Sequence, residues 1–394
     1  MNTSINSRLL AALSHSTKKC YSTASNFNPL LAKNLKITKS TNLKPLVPNK
    51  DLIFGHTFTD HMIIADYTNE KGWETPELLP YGKLSLDPAS AVFHYAFECF
   101  EGMKAYKGSK GELRLFRPDL NMARLSNSSQ RLSMPAIDGK ETIELIKELV
   151  KIDERWIPTE KGYSLYIRPT VIGTQEYIGV GPSNSAKLFV ITCPVGPYYR
   201  TGFKAVSLLA TTDYVRAWPG GTGGSKIGAN YGPCIVPQIH AMNKGSQQNL
   251  WLFGPEDELS EVGTMNCFVL LKNKSGEVEL VTPPLDGTIL PGVTRSSILG
   301  LARQWGEFKV SERRINMKEL EEALKENRVI EMFGSGTACI VSPIREILYQ
   351  DRKLTIPLDP KDSNAQAGPY TKRFFDTILA IQHGEIESEW SVVI

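Results

Sequence analysis

The chain has 394 residues, more than one ordinary domain needs, and its 41% hydrophobic content is enough to fill globular cores. The net charge of +3 hides an asymmetry: residues 1–50 hold eight basic residues and no acid, which leaves 37 of the 45 basic residues against all 42 acidic ones in the rest, a net of −5. That balance carries no signature of nucleic-acid or membrane-surface binding, and no apolar run approaches the roughly 18 residues of a spanning helix.

The acid-free, Ser/Thr-rich start has the composition of a mitochondrial transit peptide. Ser7 to Leu13 can form one apolar helical face with Arg8 as a basic flank, and cleavage is expected between about residues 20 and 45. Residues 1–50 are therefore read as a transit peptide followed by a flexible N-terminal segment. The six cysteines (20, 99, 193, 234, 267, 339) contain no C-x-x-C pair, and the six histidines show no ligand spacing, so no metal is expected.

The folded part opens near Asp51. Phe54–Met62 alternates and continues into a strand over Ile63–Ala65. Ala91–Gly102 is aromatic-rich and ends at a glycine. Leu113–Pro118 reads as a short strand, followed by a helix over Leu120–Arg131 capped by Asp119. Lys140–Trp156 is an amphipathic helix with Ile143, Ile146, Leu149, Val150 and Ile152 on one face. Tyr163–Pro169 and Lys187–Cys193 are strands. The turn-rich run Pro194–Gly202 marks a domain boundary, with the linker at 199–203. The second half then reads as a strand (Ala205–Ala210), a glycine loop, a helix (Asn230–Lys244), strands over Asn249–Phe253 and Thr264–Lys272, and a helix over Arg295–Trp305. Asn316 with Glu319 makes a capping box for a helix to Lys325. Phe333–Cys339 reads as a small-residue turn, and a last helix spans about Pro369 to Ile381.

The glycine loop Gly220–Pro233 holds one lysine, Lys226, with Tyr231 five residues later. Glycines allow close backbone approach, and a lysine held in such a loop can be desolvated into a usable nucleophile. A phosphate loop is excluded, because Ser225 precedes the lysine where a glycine belongs and Ile227 follows where a hydroxyl belongs. A dinucleotide fingerprint fails as well, since Gly221-x-Gly223 would need a glycine where Lys226 stands.

Six motifs carry a resemblance in the right order: Phe93–Gly102, Leu115–Pro118, Lys226-x-Gly228-x-Asn230-Tyr231, Leu259–Asn266, Leu290–Arg295 and Gly334–Ala338. Together they resemble the branched-chain amino acid aminotransferases, fold-type-IV pyridoxal-phosphate enzymes, from about Leu52 to the C-terminus. The transit-like start resembles the mitochondrial form. The resemblance implies a two-domain α/β protein like D-amino-acid aminotransferase, with a smaller domain at 51–198, a larger cofactor-binding one at 204–394, and a homodimer. It implies reversible transfer of an amino group from leucine, isoleucine or valine to 2-oxoglutarate, with pyridoxal 5'-phosphate as cofactor, in the mitochondrial matrix.

By the same resemblance Lys226 is the Schiff-base lysine and proton carrier, Tyr231 the donor to the cofactor's ring hydroxyl, and Glu261 the partner of the pyridine nitrogen. Arg124, the backbone N–H groups of Val293 and Thr294, and Thr337 make the phosphate cradle, which suits a helix N-terminus. Phe54, Tyr95, Phe100, Tyr166 and Tyr198 wall the side-chain pocket. Tyr95, Thr264 and the Ala338 backbone hold the α-carboxylate, and Arg168 faces the distal carboxylate of glutamate, because an unpaired buried carboxylate is costly. One departure is visible: where mammalian members carry a C-x-x-C redox pair, this chain has Cys339 and then Ser342. The rival readings are a D-amino-acid aminotransferase, an aminodeoxychorismate lyase, or a non-catalytic pyridoxal-phosphate-binding protein. The first two lack a match to the long N-terminal domain and the 261–266 and 334–338 runs, and the intact set Lys226, Tyr231 and Glu261 speaks against the third.

Overall fold

A computed structural model of the chain describes residues 27–197 and 203–394. The predicted transit segment up to residue 26, Tyr198, and the linker up to residue 202 lie outside the described residues. Two sheets organise the rest, ten-stranded and nine-stranded among the described residues.

The first sheet is mostly antiparallel and centres on Ser185–Val195 between His61–Thr68 and Ser164–Gly173. Its inner face packs on the helix Gly139–Ile152, whose Leu145, Ile146, Leu149 and Val150 are fully buried. Each such side chain contributes on the order of 1.5–3 kcal/mol through burial. Asp138 caps this helix by accepting from the Lys140 and Glu141 N–H groups, and the helix stops at Ile152 before a separate turn at Glu154–Trp156. The sheet draws in both ends of the chain. Lys36–Ile37 pairs with Glu77–Pro80, Leu30 is buried in the core, and the terminal strand Ser391–Val393 pairs with Leu113–Phe116.

The second sheet runs in the order Glu258–Val262, Gln248–Phe253, Val206–Thr211, Ile340–Tyr349, Val329–Gly336, Met265–Lys272, Val278–Thr282, Lys309–Glu312. Helices Val293–Trp305 and Pro369–Gln382 cover one face over Phe268 and Phe333, the second helix laying its Phe374 on Phe333, and Met317–Lys325 packs its Leu320 and Ala323 into a separate core. Asn316 caps that last helix by accepting from the Glu319 N–H at 2.8 Å, the predicted cap.

Three differences from expectation bear on the site. The helix expected after Asp119 starts at Pro118, with Arg117 left-handed at φ 45° before it, because proline's fixed φ suits the first helical position. The helix expected from Asn230 starts at Ile235. Gly232 and Pro233 lie in a short 3-10 turn ahead of it. The expected turn over Phe333–Cys339 is a strand to Gly336 and a turn only at 337–339, with Met265 packed over Gly334 where a side chain would stand.

Candidate active site

The glycine loop bridges the two sheets. The Lys226 N–H donates to Ser128 Oγ at 2.8 Å, and its carbonyl accepts from the Phe100 N–H at 3.1 Å. Asn230 staples the loop from inside, with Nδ2 donating to the carbonyls of Thr222 and Ser225, each at 2.9 Å. Gly223 is needed where it stands, since a Cβ there would lie 2.6 Å from the Thr288 carbonyl oxygen. The loop therefore fixes the Lys226 side chain. Its amine donates to Tyr231 Oη at 3.0 Å and sits 4.7 Å above the Phe100 ring.

A cavity of about 340 Å³ opens in front of this amine. Phe54, Phe100, Arg124, Tyr166, Arg168, Lys226, Tyr231, Thr264, Val293, Thr294, Thr337 and Ala338 all line it, so the structure brings together twelve residues expected at the site. Tyr166 and Arg168 alternate on one strand and so share a face. Arg168 Nη2 donates to Tyr166 Oη at 2.9 Å, its guanidinium lies 4.5 Å above Phe100, and its buried Nε has no partner among the described residues. Phe54 packs edge-on against Tyr166 at 4.8 Å.

Opposite the lysine, helix Val293–Trp305 points its N-terminus into the cavity with no side-chain cap. Its first N–H groups have no intrahelical acceptors. Arg124 stands beside them. Its guanidinium forks onto the fully buried Glu101 at 2.6 and 2.9 Å, and its Nη1 donates to the Pro291 carbonyl at 2.9 Å. Ser335 also lines the cavity, and its buried hydroxyl has no partner among the described residues. Cationic arginine, open helix terminus, Thr337 and orphaned hydroxyl together fit a phosphate group.

Glu261 does not line the cavity. It sits behind the wall, 1% exposed, on the strand Glu258–Val262. Oε1 accepts from the Leu290 N–H at 2.8 Å and Asn266 Nδ2 at 3.0 Å, and both of those residues face the cavity. Oε2 pairs with Arg216 Nε at 2.7 Å. Burial pushes the Glu261 carboxyl above the usual range, with Arg216 and then the Leu290 N–H pulling against it. Tyr95 is also outside the cavity: it ends the helix Ala91–Tyr95, is 38% exposed, and donates to the Ile178 carbonyl.

Sequence reasoning missed Glu101, Arg216, Gln248 and Ser335. Glu101 and Ser335 stood inside matched motifs, where a buried carboxylate next to a glycine and a hydroxyl between two glycines were the available signals. Arg216 had none, because its partner Glu261 stands on a distant strand, and Gln248, which lines the cavity, belonged to no motif.

A family model for amino-transferase class IV matches residues 98–347. The chain is 53% identical to the branched-chain-amino-acid aminotransferase of Dictyostelium discoideum, over 95% of this chain and 98% of that one. It is 53% identical to the cytosolic branched-chain-amino-acid aminotransferase of Saccharomyces cerevisiae, over 93% and 98%. It is 50% identical to the mitochondrial one of the same organism, over 93% and 94%. The fold is similar to that of the T.th. branched-chain amino acid aminotransferase with pyridoxamine 5'-phosphate, with a TM-score of 0.65 at 24% identity, over 84% of this chain and 98% of that one.

Proposed function

The chain belongs to the class IV aminotransferases, and we propose that it transfers the amino group of leucine, isoleucine or valine reversibly to 2-oxoglutarate, giving glutamate and a branched-chain 2-oxo acid. The carrying observation is the Lys226 amine, held 3.0 Å from Tyr231 in a cavity with an apolar wall and an incompletely partnered arginine, Arg168. The apolar wall suits a branched side chain. Arg168 suits the distal carboxylate that only the five-carbon substrate has.

The cofactor is pyridoxal 5'-phosphate. When bound, it supplies the aldehyde that takes up the amino group and a ring that spreads charge from the substrate's α carbon. In this reading Lys226 would hold the cofactor through its amine and would carry the α proton. Tyr231 orients the amine and donates to the ring hydroxyl. Arg124, the Val293 and Thr294 N–H groups and Thr337 hold the phosphate, with Ser335 beside them. Glu261 would serve the pyridine nitrogen, with Arg216 opposing the burial that raises its carboxyl. Phe54, Phe100 and Tyr166 would exclude water around the substrate side chain, and Thr264 and Ala338 would receive its α-carboxylate. The split into domains at 51–198 and 204–394 belongs to the same reading and is supported by the cavity between the two sheets, although Lys36–Ile37 and Ser391–Val393 join the first sheet from outside 51–198.

A homodimer is part of the proposal. Ile235, Val236, Ile239 and Met242 expose more than half their surface on one helix, with Trp218 55% exposed nearby in sequence. Such a face fits a second copy of the chain. Tyr95 belongs to another exposed apolar stretch, with Phe93, Ile178 and Val180. Its assigned role at the α-carboxylate is retained here for the assembled protein. Relatives occur in both cytosolic and mitochondrial forms. The acid-free N-terminus supports the mitochondrial matrix for this one.

The test is glutamate formation by the purified holoenzyme from 2-oxoglutarate with leucine, isoleucine, valine or D-alanine. The three branched L-amino acids should serve. Activity confined to D-alanine would replace this reading by a D-amino-acid aminotransferase.

A further inference from the structure

A second cavity of about 230 Å³ lies behind the turn at Ala338–Cys339, which forms part of the wall of both cavities. We infer that this second cavity binds a short aliphatic monocarboxylate, with its carboxylate on Lys104 and Ser342.

Lys104 sits on the strand Met103–Lys107, is 6% exposed, and lines the cavity. Its amine donates to the Ala338 carbonyl at 2.9 Å. An ammonium has three donors, so two remain without a partner among the described residues. No carboxylate there pairs with it. The charge-bearing groups closest in effect are the thiols of Cys339 and Cys193, and burial holds each up at about 11, so both are neutral. Lysine is almost never this buried without a counter-charge. Ser342 supplies a second, independent sign: it is 1% exposed, lines the same cavity, and its hydroxyl has no partner among the described residues.

The remaining wall selects the ligand class. Phe203 and Phe375 meet at 4.5 Å between ring centroids, and Leu379 lies beside them. An anion filling this space therefore needs an apolar body. The volume falls below the roughly 300–1,000 Å³ that drug-sized ligands occupy, which suits an acid of about four to six carbons. A dicarboxylate is disfavoured, because the ammonium of Lys161, also in the lining, is already engaged by Glu385 at 2.9 Å. Lys204 is exposed at the rim and attracts any anion without choosing among them. A carboxylate on Lys104 would take the two donors that the Ala338 carbonyl leaves, on an amine that also holds a residue facing the first cavity.

The test is equilibrium dialysis of radiolabelled 3-methylbutyrate against the holoenzyme, comparing the unmodified chain with Lys104→Met and with Ser342→Ile. Each variant should bind one fewer molecule per chain at saturation, whatever the first cavity binds. In the unmodified protein that extra binding should weaken about tenfold per pH unit above about pH 8, where free Lys104 loses its proton. If Lys104→Met does not fold, Ser342→Ile, which fills the cavity and keeps the amine, decides alone. Unchanged stoichiometry in the folded variants overturns the proposal, and so does binding that is indifferent to pH.

Discussion

Arg216 Nε stands 2.7 Å from Glu261 Oε2, with both side chains nearly closed to water. Breaking one partner of such a pair leaves the other charge buried alone, which typically costs about 3–5 kcal/mol. The arginine pulls the carboxyl back toward its usual range in a place where burial favours the neutral acid.

Glu261→Gln should therefore retain cofactor, seen by its absorbance, and lose turnover by a factor of about 10²–10³, the usual loss for one preorganised electrostatic group. Near-normal turnover would make Glu261 structural. Arg216→Met should lose activity too, but in a pH-dependent way. A carboxyl with a raised pKa is neutral below that value and ionised above it, so this variant's kcat should climb with pH more steeply than that of the unmodified protein. A flat profile would mean that Arg216 does not control the charge of Glu261.

Arg168→Leu should impair reaction with glutamate and 2-oxoglutarate by tenfold or more while leaving leucine nearly unaffected. The reason is its buried, unpartnered Nε in the cavity wall. Single-turnover measurements of each half-reaction separate the two substrates. Equal loss for both would make Arg168 a scaffold for Tyr166.

Lys104→Met should raise stability near neutral pH. Burial lowers this amine from 10.5 to about 8, so the folded state disfavours the charge. That penalty is fully present below about pH 8 and disappears as the pH rises through 10.5. It amounts to ~3 kcal/mol at 1.36 kcal/mol per unit, an upper bound because the amine also gives one hydrogen bond. Denaturant midpoints at pH 7 and pH 10 check the sign: a gain that grows with pH contradicts it.

Much of the site was legible because local chemistry announced it. The glycines and Asn230 around Lys226 describe a loop that must hold a lysine still, and the uncapped helix start at Gly292–Thr294 describes an anion site. What stayed hidden depends on long-range pairing. Arg216 meets Glu261 from 45 positions away, and Lys104 meets Ala338 across 234. The pairing of Ser391–Val393 with the first sheet was equally invisible, since three residues carry no periodicity of their own. Glu258–Val262 escaped notice as a strand because a five-residue run ending in Gly263 also reads as a turn.

Mild peroxide should inactivate the protein weakly or not at all. Burial pushes the Cys339 thiol up to about 11, which starves it of the reactive thiolate, and Ser342 offers no second sulfur. Ser342→Cys tests the local geometry. A variant that becomes reversibly sensitive to oxidant supports the turn assigned here, and one that never forms the bond weakens the roles given to Thr337 and Ala338. A non-reducing peptide map reads either result.

The central claim is that Lys226 is the residue that holds the cofactor. Borohydride reduction of the holoenzyme, followed by peptide mapping, tests it directly. The account predicts cofactor fixed on the peptide containing Lys226, and a Lys226→Ala protein that binds cofactor only non-covalently and transfers no amino group. Label on another amine, with buried Lys104 the obvious alternative, would contradict the account.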